Sequence, residues 1–140
     1  DKFEQCKDER ILCWLENHLC LVPMFPRRPG CSVVENKDIT ETKVKALAKA
    51  ADDCWEAIMQ TDLEAFAAAY RASFEAQISM FPAMIQPGVQ NYINHYSAMN
   101  DVLAWKMPGA GGGGYLALVV EDAIAFCQST TEAIPLTIRR

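Results

Sequence analysis

Five glycines fall within six consecutive positions, Gly109-Ala110-Gly111-Gly112-Gly113-Gly114, between the flanks Val102-Leu103-Ala104-Trp105-Lys106-Met107-Pro108 and Tyr115-Leu116-Ala117-Leu118-Val119-Val120. Backbone without Cβ atoms reaches positive φ freely and lets another molecule lie against it, but it loses more conformational entropy on ordering than any other composition. Something should compensate for that cost. With β-prone residues on both sides, the simplest geometry is an antiparallel hairpin whose connection is a wide glycine loop, longer than the usual tight turn.

Gly109, Gly111 and Gly114 also spell G-x-G-x-x-G. A dinucleotide fingerprint needs a helix directly after the glycines, its N-terminus facing the pyrophosphate. Tyr115 to Val120 is instead among the most strand-like segments of the chain, so that reading fails. A Walker-type phosphate loop fails too, because no Lys-Ser or Lys-Thr pair follows the last glycine. What remains is a strand–loop–strand whose amides can line an anion or a phosphorylated ligand. The plain alternative is a hairpin tip that binds nothing.

Asp1 to Arg10 is polar and charged and reads as a flexible leading segment, with residues 11–140 as one domain. Ile11 to Leu15 and Leu19 to Phe25 are apolar and β-prone, joined by Glu16-Asn17-His18, and read as strands. Pro23, Pro26 and Pro29 with Gly30 then interrupt any ladder, since proline has no N–H to donate. Thr40 starts a helix whose apolar face is Val44, Leu47, Ala51, Trp55 and Ile58, with Lys45, Lys49, Asp52 and Glu56 opposite. Thr61-Asp62-Leu63-Glu64 has capping-box form and opens a second helix. That helix carries a stripe of Leu63, Phe66, Tyr70, Phe74, Ile78 and Phe81 at core-packing spacing and stops at Pro82. Pro87 begins a third, with Val89, Tyr92, Ile93, Tyr96 and Met99 inward and His95 at the surface. After the hairpin, Glu121-Asp122 introduces a fourth helix to about Thr131, and Ile134 to Ile138 closes the chain as a strand. This order suggests an α+β fold, an antiparallel sheet with helices packed on one face.

A chain of 140 residues with 51% hydrophobic and 22% charged residues can bury a core without staples. The net charge of −5 disfavours nucleic-acid binding. No apolar run approaches the roughly 18 to 20 residues of a membrane helix, and no basic-then-apolar leader appears, so no membrane contact and a cytoplasmic location are expected. The six cysteines include no Cys-x-x-Cys pair, and the two histidines, His18 and His95, are far apart in sequence, so no metal site is expected. Cys6, Cys13 and Cys20 recur every seven residues, but a strand over Ile11 to Leu15 denies them a common helical stripe. Cys54 beside Trp55 reads as a half-buried hydrophobe.

The segment Lys106-Met107-Pro108-Gly109-Ala110-Gly111-Gly112-Gly113-Gly114-Tyr115-Leu116-Ala117-Leu118 resembles the third motif of the GHMP small-molecule kinases, particularly the branch acting on fucose and heptose sugars. Trp14 to Val22, followed by Arg28-Pro29-Gly30, is similar to the strand and Arg-Pro turn that open the C-terminal domain of those enzymes. The resemblance implies a ferredoxin-like C-terminal kinase domain. Gly109, Ala110, Gly111, Gly112, Gly113 and Gly114 would then lie at the floor of a cleft shared with an N-terminal domain. It also implies ATP and Mg2+ in the intact enzyme, with none held tightly by this chain, and a sugar as substrate.

The family's Gly-Leu-Gly-Ser-Ser type loop and acidic base have no counterpart in these 140 residues. The chain is therefore expected to lack catalytic residues of its own and to be inactive alone. Asp1 in place of a methionine suits an excised segment. Arg27 and Arg28 could contact an anionic or hydroxylated substrate, although exposed arginines in a proline-rich loop are the plainer reading. Two other functions are open: a free-standing binding or regulatory module of the same fold, and an interaction domain pairing through the edge strand Ile134 to Ile138. A surface left bare by an absent domain would be apolar and could carry a homodimer.

Overall fold

A computed structural model describes residues 5–24, 37–86, 88–108 and 114–140. The first helix, Glu9–Glu16 (α1), occupies the stretch read as a strand and begins two residues inside the leading segment. The Asp8 carboxylate accepts from the Arg10 amide at 2.9 Å and caps it, and Glu9 adds negative charge to its first turn. Ile11 and Leu15 then fall one helical turn apart, Ile11 buried and Leu15 half-buried. A run of five apolar residues fits either period, and the cap decides between them.

Leu19–Pro23 (β1) is the first strand, ending two residues before the expected Phe25. Cys13 lies in α1 and Cys20 in β1, so the seven-residue cysteine spacing builds no single helical stripe.

Glu41–Met59 (α2) follows, capped by Thr40, whose hydroxyl accepts from the Lys43 amide at 3.2 Å. Its inward face differs from the expected one. Ala50 and Ala57 are buried, Leu47, Cys54, Trp55 and Ile58 are half-buried, and Val44 is 47% exposed. Small residues set this face because α2 lies against the next helix, and alanines allow close approach.

That helix, Leu63–Met80 (α3), is capped by Asp62, which accepts from the Ala65 amide at 3.1 Å. The capping box expected from Thr61 and Glu64 does not form. Thr61 instead takes a left-handed φ of 49° to make the turn from α2, and its hydroxyl donates to the Gln60 carbonyl at 2.7 Å. The aromatic stripe goes where its spacing puts it, with Phe66 and Phe74 buried and Tyr70 and Ile78 half-buried.

A 3-10 turn, Pro82–Met84, leads to Val89–Ser97 (α4), which buries Val89, Ile93 and Tyr96 and leaves His95 exposed. The hairpin strands are Val102–Lys106 (β2) and Tyr115–Val120 (β3). Ala123–Ser129 (α5) is capped by Asp122 and ends before Thr131. The last strand is only Ile134–Pro135 (β4). Pro135 offers no N–H to a ladder, and the chain beyond it turns toward α1, where the Ile138 amide donates to Glu16 Oε2 at 2.6 Å.

The four strands form one antiparallel sheet in the order β2-β3-β1-β4. With helices between β1 and β2 and between β3 and β4, this is the split β-α-β pattern of ferredoxin-like folds. The α+β class and antiparallel sheet read from the sequence are therefore present. Side chains alternate across the pleat: Cys20, Val22, Leu116, Leu118 and Val120 meet Ile93, Tyr96 and Phe126 in one core. Ala104 and Val119 meet Ala57, Phe66 and Ala67, with Trp14 and Leu15 against them, in another. Residues of α4 and α5 thus cover one face. A second layer from α1, α2 and α3 covers the other, so the helices are not confined to the one face expected from the sequence, and Leu116 to Val120 is buried at every position. A strand buried on both sides reads as an unbroken apolar run, so its sequence gives no alternation to mark a solvent face.

Candidate functional site

The β1–β3 ladder ends at the pair Pro23 and Tyr115. One residue further, the Met24 amide donates to the Gly114 carbonyl at 2.7 Å. Residues 25–36 leave from Met24 and residues 109–113 arrive at Gly114, so both segments spring from the same end of adjacent strands. On the other strand of the hairpin, Met107 is fully buried and Pro108 exposed. Of the residues singled out in the sequence, Arg27, Arg28, Gly109, Ala110, Gly111, Gly112 and Gly113 lie outside the described residues.

Gly114 is described. Its φ is +88°, a conformation L side chains rarely adopt, and a Cβ built on it would meet no described residue within 4 Å. Glycine is thus favoured there by the backbone, with space beside it among the described residues. Tyr115, next in the chain, is 47% exposed.

Two arrangements around this end of the sheet had no signal in the sequence. Beside Pro23, a cavity of about 450 Å³ is lined by Asn91, Tyr92, His95, Tyr96 and Glu132. Tyr96 Oη lies 2.8 Å from Glu132 Oε1, and Tyr92 Oη donates to the Met24 carbonyl at 3.4 Å. Burial, reinforced by the hydrogen bond to Glu132, pushes the Tyr96 phenol well above its ordinary value. A backbone hydrogen bond within its own residue, then the one from Tyr96, holds the Glu132 carboxyl below the usual range. Tyr92 and Tyr96 are legible as the inward face of a helix, but nothing local announces a carboxylate 36 residues downstream. On the opposite face, Lys106 at the end of β2 reaches Ser73 on α3, Nζ to Oγ 2.6 Å.

Among the described residues, no group of three or more His, Cys, Asp or Glu side chains is placed to hold a metal ion. No helix among them is long and apolar enough to cross a membrane.

No family model and no curated protein sequence matches the chain. Solved structures do match. The structure named "Putative Sugar Kinase from Campylobacter jejuni" superposes on 95% of this chain with a TM-score of 0.52 at 15% identity. The structure of MDDEF in complex with MVAPP, AMPPCP and magnesium superposes on 88% with a TM-score of 0.52 at 13% identity. The fold is shared. This chain spans 40% of the length of the first and 45% of the second, so in both proteins the matching fold is one part of a longer polypeptide.

Proposed function

We propose that this chain is the C-terminal half of an ATP-dependent sugar kinase of the GHMP superfamily, in the branch acting on fucose- or heptose-type sugars. In this reading it forms one wall of the active-site cleft and transfers no phosphoryl group alone. The observation that carries the proposal is the Met24–Gly114 hydrogen bond. It sets side by side the two points, Met24 and Gly114, from which the chain continues to residues 25–36 and returns from residues 109–113, which supports a shared site for the glycine and Arg27-Arg28 segments. The chain's span of less than half of two longer proteins with the same fold supports it further.

The amides of Gly109 to Gly114 would face the nucleotide phosphates from this side, since backbone N–H groups without side chains allow close approach to an anion. The space beside Gly114 among the described residues fits that role. In the intact enzyme ATP would supply the phosphoryl group and Mg2+, when bound, would spread its charge. AMPPCP and magnesium occur together in the MDDEF structure. Arg27 and Arg28 would steady an anionic or hydroxylated sugar, while the base that accepts the sugar hydroxyl proton would come from the N-terminal domain. Tyr115, exposed at the mouth, would be covered by that domain, or by a second copy of this chain when the domain is absent.

The test is to express the upstream reading frame joined to this chain and assay ATP consumption with L-fucose, heptose phosphates and galactose, in parallel with the 140-residue chain. Turnover from the joined protein only, lost on Gly111→Asp, is the expected result. Turnover from the 140-residue chain alone, or from neither protein on any sugar, overturns the proposal. A start codon immediately before Asp1 would favour the free-standing module instead.

A further inference from the structure

Lys106 carries an unusual charge for its surroundings. It is half-buried, takes part in none of the ion pairs among the described residues, and its hydrogen bond goes to the neutral hydroxyl of Ser73. Ser73 is the one buried polar residue among those described. Burial holds the Lys106 ammonium below the ordinary lysine value. An ammonium withdrawn from water without a counter-ion is costly, and an anion placed beside it recovers that cost.

Lys106 does not itself line a cleft, but its hydrogen-bond partner does, so an anion seated there meets the ammonium across Ser73. Ser73 lines a cleft of about 370 Å³ whose walls are nearly all carbon, contributed by Leu15, Leu19, Trp55, Ile58, Phe66 and Tyr70. Cys54 lines it as well, and Lys106 is close enough to act electrostatically on that thiol. The volume lies within the range of small-molecule sites, which are mostly apolar with a few polar groups fixing orientation. A polyhydroxylated ligand would have to bury its hydroxyls against carbon. A neutral hydrocarbon would leave the ammonium as it is.

We propose that this cleft binds an amphiphilic carboxylate. The head group bridges Lys106 Nζ and Ser73 Oγ, and the hydrocarbon lies between Trp55, Ile58, Phe66 and Tyr70. The site is on the sheet face opposite α4 and α5 and is independent of the kinase reading.

The probes are decanoate and 1-decanol, each below its aggregation limit, titrated into the 140-residue chain and followed by tryptophan fluorescence and calorimetry. Decanoate is expected to saturate with one site and bind at least tenfold more tightly than 1-decanol. Lys106→Met should remove that ratio while leaving the alcohol's affinity within twofold, and Lys106→Arg should retain it. Ile58→Trp, which fills the cleft, should lose both ligands with the far-ultraviolet dichroism unchanged. Equal affinities for acid and alcohol, a ratio that survives Lys106→Met, displacement of decanoate by equimolar inorganic phosphate, or no saturable binding of decanoate would each overturn the proposal. So would sedimentation showing a dimer whose formation is unaffected by decanoate and whose interface protects Trp55 from quenching.

Discussion

Met24 and Gly114 are joined by an N–H···O bond of 2.7 Å just beyond the last pair of the β1–β3 ladder. The bond extends the ladder by one step and sets where two non-adjacent parts of the chain leave the sheet. Gly114 makes this step at a φ of +88° with no described residue within 4 Å of where a Cβ would go. Gly114→Ala should therefore cost only the left-handed strain, about 1 kcal/mol, with no added clash. Urea denaturation with an unchanged m-value checks it. The Met24 amide should stay protected from hydrogen exchange in both proteins, and a loss above about 3 kcal/mol would mean the space at Gly114 is closed.

The α2–α3 turn places two neighbouring residues under opposite demands. Thr61, β-branched, sits at a φ of 49°, a strained place for such a side chain. Asp62 caps α3 through the Ala65 amide. Thr61→Gly is expected to be neutral to stabilising, by up to about 1 kcal/mol, and Asp62→Ala to destabilise by about 1 kcal/mol. Thermal unfolding of the two variants checks the pair. A Thr61→Ala loss larger than that of Asp62→Ala would restore the capping box expected from the sequence.

Arg140 clasps α1 from the far end of the chain, its Nη2 2.7 Å from Glu9 Oε1 and its Nη1 2.6 Å from Glu16 Oε2. Hydrogen bonds from Arg140 hold both carboxyls below their ordinary value of 4.5. The folded state thus binds fewer protons than the unfolded one, so the stabilisation is present above the ordinary carboxyl range and is lost as pH falls through the lowered folded values. Arg140→Ala should lower Tm by about 2 °C or less at neutral pH, because Arg140 and Glu9 are exposed, though Glu16 is half-buried. That difference should vanish in acid and shrink in 1 M salt, with a Debye length of about 3 Å. A Tm difference that persists in acid strong enough to protonate both carboxyls would show that the clasp is not electrostatic.

Cys20 is fully buried on β1, and burial raises its thiol to about 12. Only the thiolate reacts, so burial suppresses both its formation and a reagent's access to it. At pH 8 a maleimide should modify exposed Cys13 in the native chain and reach Cys20 only on unfolding. Mass spectrometry of timed digests reads this directly, and comparable native rates for the two would contradict the burial.

The parts legible in the sequence were those written in local patterns. The hairpin around the glycines, the cap at Thr40, the stripe from Phe66 to Phe74 and the Asp122 start of α5 all follow from spacing and cap chemistry over a few residues. Ile11 to Leu15 reads as a strand because five apolar residues carry no period, and the Asp8 cap that makes it a helix lies within a charged leading segment. Ile134 to Ile138 reads as a strand by composition, yet Pro135 ends the ladder and Arg140 draws the rest to α1.

The candidate site divides in the same way. Taken alone, the chain's order of residues set out its α+β class, its antiparallel hairpin and the glycine segment as the place where backbone could meet a ligand, because each depends on neighbours along the chain. Only the tertiary structure brought Met24 to Gly114, Glu132 to Tyr96 and Lys106 to Ser73. Those contacts join residues 90, 36 and 33 positions apart. Which distant groups meet depends on strand order and on which helices cover each face of the sheet, and these are decided by burying all the apolar surfaces together.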